Sequence, residues 1–216
     1  MKLPKVAVLG LGAMGHAFAA NLIKKDFTVF GWNRTRHRGE DLISLGLNLC
    51  GTPEDAARNA EVVILMLSDA EITHQIAEQI FTVLNESSCV IQMATIGVES
   101  TQRIKTLFNQ RKDIYFFDAP VSGTKTPAQN GQIIVFASGD QEQYSRIEPV
   151  FNAISKAVKW QGEAGAGTRI KLVVNAWLIS LMQGVAESMQ LAQELGISTD
   201  DFLGCSRRRA TSCPLY

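Results

Sequence analysis

The 216-residue chain has no net charge, because 21 basic residues balance 21 acidic ones. With charged residues at only 19%, it lacks the electrostatic footprint of a protein whose main partner is nucleic acid or an anionic membrane. Cysteines are few. Cys50, Cys89, Cys205 and Cys213 show no C-x-x-C spacing and no nearby paired histidines, so neither a metal site nor a disulfide framework is expected, and the thiols are expected to be reduced. No apolar run approaches the roughly 20 residues of a membrane span. The longest candidate is interrupted by Lys171 and Asn175. The first apolar run starts within a few residues of Met1, which leaves no room for a targeting peptide there. Internal repeats and low-complexity segments are also missing. These absences together lead to the expectation of a soluble, cytoplasmic protein. What is present, 46% hydrophobic residues, suffices for a proper core in one good-sized domain, or one domain plus a fragment.

The apolar residues are arranged in short continuous runs: Val6–Leu9, Thr28–Trp32, Val62–Leu67, Cys89–Ile91, Ile114–Phe117 and Ile133–Ala137. Runs of this kind, separated by helical segments, are the pattern of strands buried on both faces of a parallel sheet. Helices are expected from Pro53, with Thr52 as its cap, and over residues 70–84 and 98–111. The β-α alternation over residues 1–160 predicts an α/β fold with a doubly wound, mostly parallel sheet and ligands at the carboxyl ends of the strands. From Gly165 the pattern changes to one long helix over residues 168–195, closed by Leu195-Gly196. The expected organisation is a nucleotide-binding domain at 1–163, a long interdomain helix at 164–196, and a short remainder at 197–216.

The first run leads into Gly10-Leu11-Gly12-Ala13-Met14-Gly15, and a helical pattern follows. Strand, G-x-G-x-x-G turn and helix in this order are the context of a dinucleotide site. Gly10 makes the tight turn, Gly12 admits a pyrophosphate close to the backbone, and Gly15 lets helix and strand pack closely. The helix N-terminus offers N–H groups and the positive dipole end to the phosphates. The second strand runs into Asn33-Arg34-Thr35 with no acid at its end. A carboxylate there would accept from the ribose hydroxyls of NAD and would repel a 2′-phosphate, whereas Arg34 offers that phosphate a fork of donors. NADP is therefore the expected cofactor. Arg36, His37 and Arg38 either add positive charge or form a solvated loop; the pattern does not decide between the two.

Three further groups stand where strand ends should converge. Asp118-Ala119-Pro120-Val121-Ser122-Gly123-Thr124 is either a carboxylate-binding loop or a plain turn. Thr95, after the Cys89–Ile91 run, is placed either to touch the nicotinamide ribose or to start the next helix. Thr168, Lys171 and Asn175, spaced i, i+3, i+7, share one helix face among apolar neighbours. A lysine in a partly dry cleft has a mobile pKa and can transfer a proton, and Asn175 can orient it.

Taken in series, the glycine turn, Asn33-Arg34-Thr35, Asp118–Gly123 and Gly165–Asn175 resemble the β-hydroxyacid dehydrogenase family. Met66-Leu67-Ser68-Asp69 and Pro127–Gln132 are most similar to its glyoxylate and succinic semialdehyde reductase branch. The resemblance spans about residues 4–203. It implies that Lys171 protonates the carbonyl oxygen, that Ser122, Gly123 and Thr124 hold the substrate carboxylate with Asn175 beside Lys171, and that Leu67, Ser68 and Thr95 line the cofactor. The substrate would be a small aldehyde or 2-oxo acid, and the assembly a homo-oligomer. It also implies a helical second domain of which little remains here. No Lys-Asp-Leu motif follows and Arg207–Arg209 fit no expected helix, so a truncated or altered terminus is expected. The alternatives are an NAD-dependent 3-hydroxyisobutyrate-type dehydrogenase, which Asn33-Arg34-Thr35 argues against, and a catalytically inactive cofactor-binding fragment.

Overall fold

A computed structural model describes residues 2–210, with side chains through Cys205. The final residues, Cys213 among them, and the side chains of Arg207–Arg209 lie outside what is described. Six strands form a parallel sheet in the order β3-β2-β1-β4-β5-β6, namely Asn48–Leu49, Val29–Trp32, Val6–Leu9, Val62–Leu65, Cys89–Gln92 and Tyr115–Asp118. This is the doubly wound sheet expected from the apolar runs. Side-chain alternation explains the winding. Val6, Val8, Val62 and Ile64 face one core with Phe18 and Leu22 of α1 (Ala13–Lys24), while Ala7, Leu9, Val63 and Leu65 face another. That second core is filled by α2 (Pro53–Arg58), α3 (Ala70–Phe81) and α4 (Val98–Phe108), through Ala56, Ile76, Ile80, Ile104 and Phe108. Both faces of every central strand are thus apolar, and each fully buried Leu, Ile or Phe contributes roughly 1.5–3 kcal/mol.

Local signals set several boundaries. The Thr52 hydroxyl accepts from the Asp55 N–H at 3.1 Å, capping α2 as its sequence predicts. Asp69 caps α3 in the same way through the Ile72 N–H at 2.9 Å. The segment after β2, Arg36–Leu45, is a 3-10 helix rather than an α-helix and ends on Gly46 at φ 112°.

One strand sits differently from expectation. Ile133–Ala137 (β8) is not part of the large sheet; it is the centre of a three-stranded mixed sheet. It pairs antiparallel with β7 (Val121–Ser122) and parallel with β9 (Ser155–Trp160), which follows α6 (Tyr144–Ile154). Neither partner has an apolar run to announce it. The first is two residues long, and the second, Ser-Lys-Ala-Val-Lys-Trp, is half-exposed. A short helix, α5 (Lys125–Gln129), joins β7 to β8.

Helix α7 runs from Ala166 to Glu194, and Gly196 at φ 73° ends it. Helix α8 spans Thr199–Ala210, with the Ser198 hydroxyl accepting from the Asp201 N–H at 3.1 Å. The chain divides into two compact units, Met1–Leu172 and Val173–Tyr216. By length and composition α7 could cross a membrane, its most apolar window having a mean hydropathy of 1.2. Run length alone had excluded any such segment; a window tolerates the interruptions at Lys171 and Asn175 that a run does not. Val173, Trp177, Ile179 and Met182 on this helix are exposed.

Candidate active site

The carboxyl ends of β1, β2 and β4 meet at the glycine turn. Gly10 has φ 101°, and its N–H donates to the Trp32 carbonyl at 2.8 Å. A Cβ on Gly10 would lie 2.3 Å from the Met66 carbonyl oxygen, and one on Gly15 only 1.8 Å from that of Gly10. Both positions are closed to any side chain. Gly12 is the opposite case, since a Cβ there would meet nothing within 4 Å. The turn is therefore tight where chain meets chain and open where a ligand would approach. Gly12 is the N-cap of α1 with no side-chain cap, so the first-turn N–H groups, those of Ala13 and Met14 among them, have no partner inside the helix. This cradle fits a pyrophosphate.

Asn33 fastens the turn to β2. Its Oδ1 accepts from the Leu11 N–H at 2.9 Å and its Nδ2 donates to the Thr35 carbonyl at 2.9 Å. The Leu11 N–H is thus committed to Asn33, and the Leu11 side chain is buried. Arg34 and Thr35 are exposed at the strand end, as are Arg36, His37 and Arg38. A cleft of about 430 Å³ opens beside the turn, lined by Gly12, Ala13, His16, His37, Arg38 and Lys125 among others. His16 and Asp41 pair across it at 2.8 Å. On the other side, Ser68 and Asp69 follow β4. The Asp69 carboxyl is held below the usual carboxylate range first by the Ile72 N–H, next by the Ser68 hydroxyl, and in smaller part by the Arg34 guanidinium. Leu67 is half-buried and Ser68 exposed.

The other end of the site is built from side chains. β5 ends at Gln92, whose amide is buried and bonds both the N–H and the carbonyl of Ala94, at 2.7 and 2.6 Å. That clamp turns the chain so that Thr95 is exposed. The next helix, α4, is capped by Gly97 without a side-chain bond, so Thr95 has no part in starting it. β6 ends at Asp118 and leads into Ser122, half-buried on β7, then Gly123 at φ 142° and Thr124, both exposed.

Lys171 is half-buried on α7, and burial holds its ammonium below the usual lysine range. Among the described residues no ion pair involves it. Asn175 follows one turn later on the same helix, in the unit Val173–Tyr216, so it is the one expected substrate contact outside the first unit.

Comparison with known proteins agrees with this geometry. A family model described as the NAD binding domain of 6-phosphogluconate dehydrogenase matches residues 5–162. The chain is 33% identical to glyoxylate/succinic semialdehyde reductase 1 of Arabidopsis thaliana, over 98% of its own length and 74% of that protein's. It is 32% identical to the chloroplastic reductase 2 of the same plant, spanning 98% of its own length and 60% of the relative's. Among solved structures, 3-hydroxyisobutyrate dehydrogenase of Mycobacterium tuberculosis, studied with L-serine, superposes with a TM-score of 0.88 at 26% identity. That match covers 94% of this chain and 70% of the other. The chain belongs to the β-hydroxyacid dehydrogenase family. Its sheet and glycine turn are an NAD(P)-binding domain, and the two plant relatives are reductases.

Within this family frame, one group of residues has no counterpart among the expected site positions. Asp118 is fully buried at the end of β6. Its Oδ2 accepts from the Thr168 N–H at 2.7 Å, and its Oδ1 from the Thr168 hydroxyl at 2.8 Å. Burial pushes the Asp118 carboxyl up, and the hydrogen bonds from Thr168, Ser138 and the Gly165 N–H pull it part of the way back. Thr168, read from its spacing as sharing a helix face with Lys171, is 1% exposed and bound into this network. Asp118 stands 50 residues from Thr168, so no local motif signals the pair.

Proposed function

We propose that the chain is the catalytic frame of an NADPH-dependent reductase acting on small aldehyde or 2-oxo acids of the glyoxylate and succinic semialdehyde type. The observation that carries this reading is Lys171: a half-buried lysine without an ion pair among the described residues, its pKa lowered by burial, one turn into a helix whose start is tied to the strand leading to Ser122. NADPH, when bound, supplies the hydride that reduces the carbonyl carbon. Gly12, Ala13 and Met14 would hold its pyrophosphate, Asn33, Arg34 and Thr35 its 2′-phosphate, and Leu67, Ser68 and Thr95 would line the remainder. The Lys171 ammonium gives its proton to the carbonyl oxygen and is left as a neutral amine, which burial makes easier than in water. The Ser122 hydroxyl, the Gly123 N–H and Thr124 orient the substrate carboxylate, and Asn175 orients Lys171 or the substrate.

Two features favour the second reading, an NAD-dependent 3-hydroxyisobutyrate-type dehydrogenase: the superposition on such an enzyme, and the closeness of Asp69 to Arg34, which offsets part of the positive charge offered to a 2′-phosphate. The deciding experiment follows NADPH and NADH consumption by absorbance with glyoxylate and with succinic semialdehyde. An NADPH-dependent rate that disappears in Lys171→Ala supports the first reading. A rate with NADH alone supports the second, and NADPH binding without turnover identifies a cofactor-binding module.

A further inference from the structure

Helix α7 begins without a cap of its own. The residue before Ala166 is Gly165, at φ 101°, which has no side chain to accept from the first-turn N–H groups. Two residues from distant strands do that work. Ser138, just past β8, accepts from the Gly167 N–H at 3.0 Å, and Asp118, at the end of β6, accepts from the Thr168 N–H at 2.7 Å. The contact is close enough to exclude any side chain at Gly167, where a Cβ would lie 2.3 Å from the Phe136 carbonyl oxygen and 2.8 Å from that of Asp118. The Thr168 hydroxyl, besides donating to Asp118, lies 3.1 Å from the Thr101 hydroxyl on α4, which also bonds the Gly97 carbonyl at 2.9 Å. Every polar side chain in this cluster is buried: Asp118, Ser138, Thr101 and Thr168 are each at or below 1% exposure.

Three chain segments assigned roles above depart from this one point. Thr95 lies two residues before Gly97, Ser122 follows Asp118 after three residues of chain, and Lys171 comes one helical turn after Thr168. We propose that Asp118 and Thr168 are positioning residues: they form the joint that sets Lys171 relative to the substrate loop at Ser122. This rests on the reading of Lys171 as the proton donor. A buried carboxylate is a costly way to cap a helix unless each of its bonds is made, and a joint with every bond made is stiff. A serine or threonine at position 165 could cap α7 locally, but it would fix only the start of the helix and not its distance from β6.

The test compares Asp118→Asn, Thr168→Val and Thr168→Ser with the parent chain, in two readouts. The first is hydrogen exchange of the backbone amides of residues 167–172, which needs no turnover. The second is kcat and KM for glyoxylate reduction, with NADPH affinity measured separately. Exchange at the start of α7 should speed up in Asp118→Asn and Thr168→Val, while the strands of the large sheet keep their protection. In the same two variants kcat should fall about 100-fold, as expected when a reacting group moves by around an ångström, with NADPH affinity within about twofold of the parent. Thr168→Ser restores the hydroxyl and should recover both readouts. Equal kcat and equal exchange in Thr168→Val and Thr168→Ser would overturn the proposal, and so would an Asp118→Asn chain with parental kcat. If Asp118→Asn does not fold, the Thr168 pair decides alone. If the parent itself shows no turnover, the reductase reading fails while the exchange arm still tests the joint.

Discussion

The two ends of the candidate site are made by different means. At the glycine turn the working parts are backbone: N–H groups at the start of α1, a φ only glycine adopts easily, and two close approaches at Gly10 and Gly15. At the Lys171 end they are side chains, and the start of the helix that carries the lysine is held by a residue far away along the chain, Thr168 by Asp118. The first end is a shape, open to solvent at Gly12 and made to receive a ligand of fixed geometry. The second is a buried polar cluster with a half-buried lysine one turn beyond it. A cofactor used at every turnover can be met by rigid backbone. A proton donor must also be tuned in pKa, and for Lys171 burial does that.

The largest expected effect is at the lysine end. Lys171→Ala should lower kcat by about 10³–10⁴, in line with removal of a general acid, and leave NADPH affinity nearly unchanged. A parallel loss of cofactor binding would erase the distinction between the two ends. The pH profile sharpens it. The donor must be an ammonium, and burial lowers its pKa, so the reduction rate falls as pH rises, at a point below the usual lysine value of 10.5. An alkaline limb at or above that value would show a solvated lysine, which is not what burial at this position implies.

At the glycine end the comparison is between neighbours. Gly15→Ala puts a methyl group 1.8 Å from the Gly10 carbonyl oxygen and should destabilise the chain by about 3 kcal/mol or more, read as a drop in the denaturant midpoint. Gly12→Ala meets no protein atom, so its stability cost should stay within about 1 kcal/mol, the scale of a poorer helix cap. NADPH affinity should nonetheless fall. A Gly12→Ala chain that binds NADPH as the parent does would place the pyrophosphate elsewhere.

The same contrast explains what could be read from sequence. Gly10–Gly15 lie within one turn of chain, and each glycine's task follows from spacing alone; Thr52 and Pro53 are equally local. The central strands were legible because burial on both faces leaves continuous apolar runs, as in Val6–Leu9 and Val62–Leu65. β9 was not, because a half-exposed strand carrying Lys156 and Lys159 has no such run, and β8 was therefore assigned to the wrong sheet. Asp118 and Thr168 were both in view, but spacing relates residues within an element and says nothing of a bond that spans 50 residues. The one signal was negative: α7 starts on a glycine, so its cap had to come from elsewhere.

Cofactor choice gives a smaller effect. Arg34→Ala removes a charge-assisted bond to the proposed 2′-phosphate, worth about 1.5–3 kcal/mol, so NADPH affinity should drop about 10- to 150-fold with NADH affinity unchanged. A loss shared equally by both cofactors would mean that Arg34 supports the loop and reads no phosphate. Asp69 makes this a fair test, since its carboxylate feels the Arg34 charge and offsets part of what that arginine offers a phosphate.

The smallest effect falls where the glycine end borrows the long-range device of the other. Asn33 joins the turn to β2 across 22 residues by accepting from the Leu11 N–H. Asn33→Asp keeps that acceptor, loses the donor to the Thr35 carbonyl, and places a carboxylate beside Arg34. The lost bond is worth about 0.5–1.5 kcal/mol and the turn itself should persist, so stability changes little. The added charge repels a 2′-phosphate and can accept from ribose hydroxyls, so the ratio of NADPH to NADH affinity should fall by about 3- to 10-fold, on the scale of one hydrogen bond. An unchanged ratio would show that the end of β2 does not read the adenosine ribose. A collapse of binding for both cofactors would show that Asn33 holds the turn as rigidly as Asp118 holds α7, and the two ends would then share one design.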